Sequence, residues 1–217
     1  MSKPRPLLVF GAGDIAQLAA FYFAHDGGRE VAAFTVDPDY LEGDAFEGRP
    51  LLAWEDAVAA FPPASHDVFV ALSYARRNSV RQAKFEAARA AGYALASYVS
   101  PRASVFPGVA IGDNCFVLED NTVQPFVRIG DNTTLWSGNH IGHHSTIGSH
   151  CFLTSHVVVS GGVSVGDNCF IGVNATIRDH VAIGAHSVIG AAALILGDTA
   201  ERSTYIAAAT PPAPPRG

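Results

Sequence analysis

The sequence predicts two architectures in series: an α/β layer over residues 1–97, then a solenoid of short parallel strands over residues 98–200. Three observations carry this. An aliphatic residue recurs every six positions from Val99 to Ile195. Glycine and asparagine recur at fixed places between those residues. Ahead of them, a Gly-rich turn divides an apolar run from a helical one in "PLLVFGAGDIAQLAAFYF".

The bulk properties limit the function classes. A chain of 217 residues makes one large or two small domains. A net charge of −6 and a pI near 5.8 argue against nucleic acid as the main partner. There is no basic segment leading into an apolar core and no apolar run of membrane-spanning length. The expectation is a cytoplasmic chain with no membrane partner. Cys115, Cys151 and Cys169 are widely spaced and odd in number, which fits neither a disulfide framework nor a CxxC metal knuckle.

The first element is a strand in "PLLVF". The turn after it reads Gly11-x-Gly13-x-x-Ala16, with Asp14 at the start of the helical run. Glycines let backbone approach a phosphate at a helix N-terminus. The same spacing also serves a tight strand-to-helix turn that holds no ligand. A second strand, "EVAAFTV", runs into Asp37, about where a ribose-binding carboxylate belongs. A third, "DVFVAL", leads to a loop with Ser73, Arg76, Arg77 and Asn78 that opens another helix. About four strands make half of a dinucleotide-binding fold, which needs two such halves. NAD chemistry is therefore not expected. A half-Rossmann unit suits one nucleoside diphosphate, such as that of a nucleotide-linked sugar. Its candidate substrate contacts are Gly11, Gly13, Asp14, Asp37, Ser73 and Arg76.

The second architecture follows from the hexads. Stepping by six from Val99 gives seventeen positions, all Val, Ile or Leu. The fifth residue of each hexad, from Ala103 to Thr199, is small or medium-sized. Glycine often holds the second place and asparagine the fourth. A solenoid needs one inward aliphatic knob per flat face, a second inward residue small enough for a narrow interior, and a sharp corner. Gly and Asn tolerate φ > 0 best and so suit corners. Three hexads close one triangular coil, and the run makes a stack about 27 Å tall. Hydrogen bonds run from coil to coil, so the stack is quasi-one-dimensional. All three cysteines occupy inward fifth positions and read as small core residues. Residues 201–217, ending "TPPAPPRG", read as a loosely packed tail.

His143 and His144 are the third and fourth residues of the hexad that begins at Ile141, so they lie at a corner and point outward. One coil below are Pro125 and Phe126; one coil above are Gly161 and Gly162, which leave open space. His144, His150 and His156 hold the same place at three successive corners. They radiate to three sides and cannot share a metal within one chain. His150, His180 and His186 read as surface or interface packing.

This repeat resembles the left-handed parallel β-helix of the hexapeptide-repeat acyltransferases. With the half-Rossmann unit before it, the chain from Leu7 to about Ile206 resembles the sugar O- and N-acyltransferases of the sialic acid O-acetyltransferase type. That group includes the N-acetyltransferases of nucleotide-linked 4-amino sugars, such as those making bacillosamine and N-acetylperosamine. The resemblance implies acetyl-CoA as co-substrate, a nucleotide-sugar in the front domain, and a homotrimer with active sites between subunits. A role in lipopolysaccharide or other surface polysaccharide synthesis goes with it. It also implies a corner histidine as general base, oriented by the acidic residue that follows it. "IGHHSTIG" points to His143, and here His144 stands where the acid is expected. Asp120, Glu119 or a residue of a neighbouring subunit is then left to orient the base. On the same resemblance, Gly161 is an oxyanion donor, the Gly161–Gly162 gap admits the thioester, and His156 lies on the acyl-donor side. Gly172, Asn174 and Gly190 would line the pantetheine arm. Trp136 and Asn139 would flank the corner and touch the sugar, although Asn139 also holds an inward position suited to a core hydrogen-bond ladder. Three alternatives stay open: O-acetylation of a sugar, a trimeric zinc lyase like the β-helical carbonic anhydrases, and a non-catalytic nucleotide-sugar-binding protein. No resident metal is expected.

Overall fold

The computed structural model describes residues 4–209, and the "TPPAPPRG" end lies outside them. The first layer is a five-stranded sheet. Its centre is β1 (Leu7–Phe10), paired in parallel with β2 (Val31–Val36) on one side. Two further strands extend that side: the short edge strand β3 (Ala45–Phe46), antiparallel, and β4 (Arg49–Ala53), parallel. On the other side of β1 lies β5 (Asp67–Val70), also parallel. Leu7, Leu8 and Val9 are fully buried, as expected of a central parallel strand covered on both faces. Helices α1 (Asp14–His25), α2 (Trp54–Ala60) and α3 (Ser79–Ala90) cover the sheet. The chain leaves β1 first toward β2 and later returns to β5 on the opposite side. The crevice beyond the carboxyl ends of β1 and β5 is thus a topological switch point, where such sheets bind ligands.

The second part is a left-handed triangular prism of two-residue strands from Tyr98–Val99 to Thr204–Tyr205. Its three faces stack seven, six and five parallel strands. The pairing steps by eighteen residues, as in Thr122↔His140↔Val158 on the second face. The last pair, Val188–Ile189 with Thr204–Tyr205, lies past residue 200, so the stack continues into the segment read as tail. The aliphatic knobs and the small fifth residues form one core. Val99 is the exception at 38% exposed: it sits in the lowest coil, with nothing stacked beneath it.

The corners correct one sequence expectation. The left-handed residue is the fourth of each hexad, and it is Asn, Gly, His, Asp, Ala or Phe. Asn, Asp and His are enriched there because they tolerate φ > 0 better than other side chains. Five of the nine histidines, His144, His150, His156, His180 and His186, sit at these corners. Much of the histidine density is therefore a backbone requirement. Phe126, with φ of 68°, carries no such tolerance and costs about 1–2 kcal/mol. The second-place glycines serve a different need. A Cβ on Gly130 would lie 2.6 Å from the Ser149 backbone nitrogen, and one on Gly172 would lie 2.5 Å from that of Ala191. They let adjacent coils approach.

The two parts are fastened together. Call the edge between the first and second faces the first edge, that between the second and third the second edge, and the remaining one the third. The third edge carries Asn114, Asn132, His150 and Asn168. Asn114 Oδ1 accepts from the Val70 amide at 2.7 Å, and its Nδ2 donates to Asn132 Oδ1 at 2.8 Å. Asn78 donates to the Cys169 carbonyl at 3.2 Å, and Asn168 donates to Gln82 at 2.8 Å. Arg81 of α3 is buried and donates to the carbonyls of Asn132, His150 and Cys151 at 2.9–3.2 Å. Burial lowers its pKa to about 10, with no carboxylate bonded to it. Aromatic rings fill the rest of the seam: Phe116 meets Tyr22 and Phe69, and Tyr74 meets Phe152 and Phe170.

Candidate active site

The site residues fall into three groups. The first lines the switch-point crevice, where two adjoining clefts of about 360 and 400 Å³ share Ala12 and Leu72. One is lined by Gly11, Asp37, Tyr40 and Glu42, the other by Gly13, Asp14 and Ser73. The two glycines differ. A Cβ on Gly11 would lie 2.8 Å from the Ala71 carbonyl, so this glycine is needed to cross β5. Gly13 has nothing within 4 Å and opens onto free space. It caps α1 with no side-chain hydrogen bond, which leaves first-turn amides for an anion. Asp37 is paired with Lys84 Nζ at 2.5 Å, a partner from α3 that no motif in the chain points to. Arg76 lines neither cleft; it is exposed and opens a run of three left-handed residues, Arg76 to Asn78.

The second group is on the second edge. His143 and His144 are both exposed. Their Nδ1 atoms are 3.1 Å apart, and the rings meet edge to face at 86°. The His143 amide donates to Gln124 Oε1 at 2.9 Å. The His144 ring lies over Phe126 at 4.7 Å. The expected gap above them is filled. His143 Cε1 and Nε2 would lie 2.7 and 2.9 Å from a Cβ on Gly161, and His180 Nδ1 2.5 Å from one on Gly162. Those glycines make room for imidazoles, and the open space is not theirs.

The third group is on the first edge. His156 stacks over Gly138, whose absent Cβ would lie 2.5 Å from its Nδ1. One coil up is exposed Asn174, beside Val173 at 40% exposed. Gly172 and Gly190 precede the same edge in successive coils. Glu119 is here too, accepting from Tyr22 at 2.9 Å and Ser137 at 2.8 Å, with Arg102 at 3.7 Å. Burial pushes its pKa up, but these partners and a backbone amide outweigh it and hold the carboxyl below its usual range. Asp120 is on this edge as well. Neither acid orients His143 within one chain.

Two sugar contacts are corrected. Asn139 is buried; it donates to the Trp136 carbonyl at 2.6 Å and accepts from the Val157 amide at 2.8 Å. It is a rung of an inward ladder that begins at Asn121. Trp136 stacks on Phe152 at 5.9 Å within the seam between the two parts. Both stand one face away from His143, because residues six apart fall on different sides. His150, read as surface or interface, faces the seam: its Nδ1 meets Asn132 Nδ2 at 2.9 Å, and its ring meets Phe85. Among the described residues, no three His, Cys, Asp or Glu side chains gather into a metal-holding group, and no helix is long and apolar enough to cross a membrane.

Residues 126–161 and 162–197 match the family model described as bacterial transferase hexapeptide (six repeats). Among solved structures, the chain is similar to a histidine variant of perosamine N-acetyltransferase from Caulobacter crescentus in complex with CoA and GDP-perosamine. The identity is 27%, over 93% of each chain, with a TM-score of 0.84. The acetyltransferase domain of PglB from Neisseria gonorrhoeae shares the fold at 24% identity, over 94% of this chain and 97% of that one, with a TM-score of 0.83. WeeI from Acinetobacter baumannii does so at 18% identity, over 93% and 96%, with a TM-score of 0.82. No protein with a curated description matches the sequence. In fold and repeat the chain is similar to the hexapeptide-repeat acetyltransferases. Its likeness to the perosamine enzyme takes in the α/β layer as well as the prism.

Proposed function

We propose that the protein transfers an acetyl group from acetyl-CoA to the amino group of a nucleotide-linked 4-amino-deoxysugar, with His143 as general base. One observation carries the assignment of the base: an exposed imidazole whose Nδ1 is tied to His144 and whose Nε2 edge lies over side-chain-free Gly161. The similarity to a perosamine N-acetyltransferase held with CoA and GDP-perosamine supports the donor and the acceptor class.

The amine nitrogen attacks the thioester carbonyl, the C–N bond forms and the C–S bond breaks. His143 Nε2 takes the amine proton and returns it to the departing thiolate, so CoA leaves as the thiol. Such a base contributes roughly a hundred- to ten-thousandfold in rate. The Gly161 amide is our candidate donor to the oxyanion. The crevice holds the nucleotide: the open end of α1 at Gly13 meets a phosphate, and Asp37, Ser73 and Tyr40 take the ribose and base side. Asp14, an exposed carboxylate in the first turn, opposes a phosphate and suits a hydroxyl. His156, Gly172, Asn174 and Gly190 mark the track of the CoA arm on the first edge. That track and the base are on different edges of one chain, which supports a homotrimer whose sites lie between subunits. The cytoplasm, where acetyl-CoA is at hand, is the setting, and surface polysaccharide synthesis is the purpose.

The test is thiol release from acetyl-CoA against UDP-, GDP- and dTDP-linked 4-amino and 4-hydroxy sugars, wild type beside His143→Ala. The expected result is turnover on an amino sugar that falls at least a hundredfold in the variant. Turnover on hydroxy sugars alone makes the protein an O-acetyltransferase. Full activity in His143→Ala removes the base assignment.

A further inference from the structure

We infer that Phe126 and His144 act together as positioning residues: Phe126 seats the His144 ring, and His144 Nδ1 accepts the Nδ1 proton of His143, which keeps His143 Nε2 bare toward the substrate. The inference rests on His143 being the base.

Two Nδ1 atoms 3.1 Å apart can share only one proton. If His143 donates, its proton is on Nδ1 and its Nε2 lone pair is free. If His144 donates, His143 carries its proton on Nε2 and cannot accept another from the acceptor. Only the first arrangement makes a base. Gly161 gives the His143 ring its seat, since a Cβ there would meet Cε1, Nε2 and Nδ1 at 2.7, 2.9 and 3.2 Å, and the exposed side chain leaves the pair reachable from solvent. Gln124 holds the His143 backbone from the coil below.

The partner imidazole must itself be held, since both rings are exposed. Phe126 does this. Its ring is 68% exposed, lies 4.7 Å from the His144 ring centre at 36°, and belongs to no core cluster. It also occupies a left-handed corner where the other residues of the column are Gly108, His144, Gly162 and His180. A bulky aromatic there gains nothing for the backbone and buries little, so the contact it makes with His144 is its evident purpose. The titratable groups facing the pair are few. His180 lies over Gly162 one coil above His144, Asp179 precedes it, and Gln124 and Pro125 below carry no charge. Among the described residues no carboxylate bonds either imidazole.

Glycine occupies this corner elsewhere in the column, so His144→Gly and Phe126→Gly suit the backbone and separate position from folding. Nitrogen-15 NMR of the full-length protein reads the tautomer without any substrate. We expect His143 to be protonated at Nδ1 and bare at Nε2 in the wild type, and to become a tautomer mixture in both variants. Melting temperatures should not fall below wild type. Thiol release should show kcat lowered roughly tenfold or more, with KM for both substrates within about twofold. Phe126→Tyr, which keeps the ring, should retain the wild-type rate and tautomer. A wild-type His143 protonated at Nε2, or an unchanged tautomer in both glycine variants, overturns the inference. Absence of turnover on every sugar overturns the reaction instead, and the NMR result still decides the tautomer.

Discussion

Gly161 offers a probe of the base that leaves the fold alone. A Cβ at this position would stand 2.7 Å from His143 Cε1, and carbon atoms rest at about 3.5–4.0 Å. In Gly161→Ala the imidazole must therefore withdraw by about 0.8 Å or more. Gly161 is not among the residues with positive φ, so alanine adds no backbone strain. The displaced atoms are the far end of an exposed side chain, and stability should stay within about 0.5 kcal/mol. Catalysis is less forgiving. Misplacing a reacting group by about 1 Å costs on the order of a hundredfold. We expect kcat for thiol release to fall by about that factor, with nucleotide-sugar affinity and melting temperature unchanged. Gly172→Ala is the contrast: its Cβ would meet the Ala191 backbone nitrogen at 2.5 Å, so it should lower the melting temperature first. A Gly161→Ala enzyme with wild-type kcat would refute the view that the His143 ring, in this position, is the base.

The seam between the two parts should be sensitive to acid. Burial, then the Arg81 charge, lowers the His150 pKa, so the unfolded chain binds a proton near pH 6.5 that the folded one refuses. Stability is then full above about pH 6.5 and declines as the pH falls through that value, by at most about 1.4 kcal/mol per pH unit. Urea melts at pH 7.5 and 5.5 should show the loss in wild type and a smaller one in His150→Asn, since asparagine holds the same corner at Asn114, Asn132 and Asn168. A second experiment mixes subunits. His143→Ala and His156→Ala, each inactive alone, should regain up to about a quarter of wild-type turnover when refolded together, because a ring of subunits then pairs an intact second edge with an intact first edge. No recovery in mixed trimers would mean that base and donor contacts come from the same chain.

The prism was legible because its rule is local. A knob every six residues, a small residue four places later and a tight corner between them leave little else for the chain to do. What the pattern did not disclose was why the glycines recur. Both backbone freedom and close approach select glycine, and only the distances to the coil above separate them. The histidines misled for a related reason: at a left-handed corner histidine is an alternative to asparagine, so of the five corner histidines only His144 adjoins the candidate base, His143, which precedes the corner position. In the first layer, β3 and β4 went unread because two- and five-residue strands beside prolines and glycines have no period to detect. Arg81 had no signal at all, since its role depends on α3 lying against the third edge.

The placement of Trp136 and Asn139 shows that the register held more information than similarity of sequence neighbourhood. Asn139 precedes His143 by four residues, yet those residues span a whole face of the prism. At about 3.3 Å per residue, adjacent edges of one chain are separated by well over 10 Å. A thioester cannot be held at the second edge by side chains on the first edge of the same chain unless the CoA arm crosses a face. The outward residues of the second face include Val158, Thr176 and Leu194. On the proposed assignment of base and CoA track, a neighbouring subunit that brought its first edge against this second edge would supply the cleft. A threefold ring repeats that contact with no unpaired surface left over.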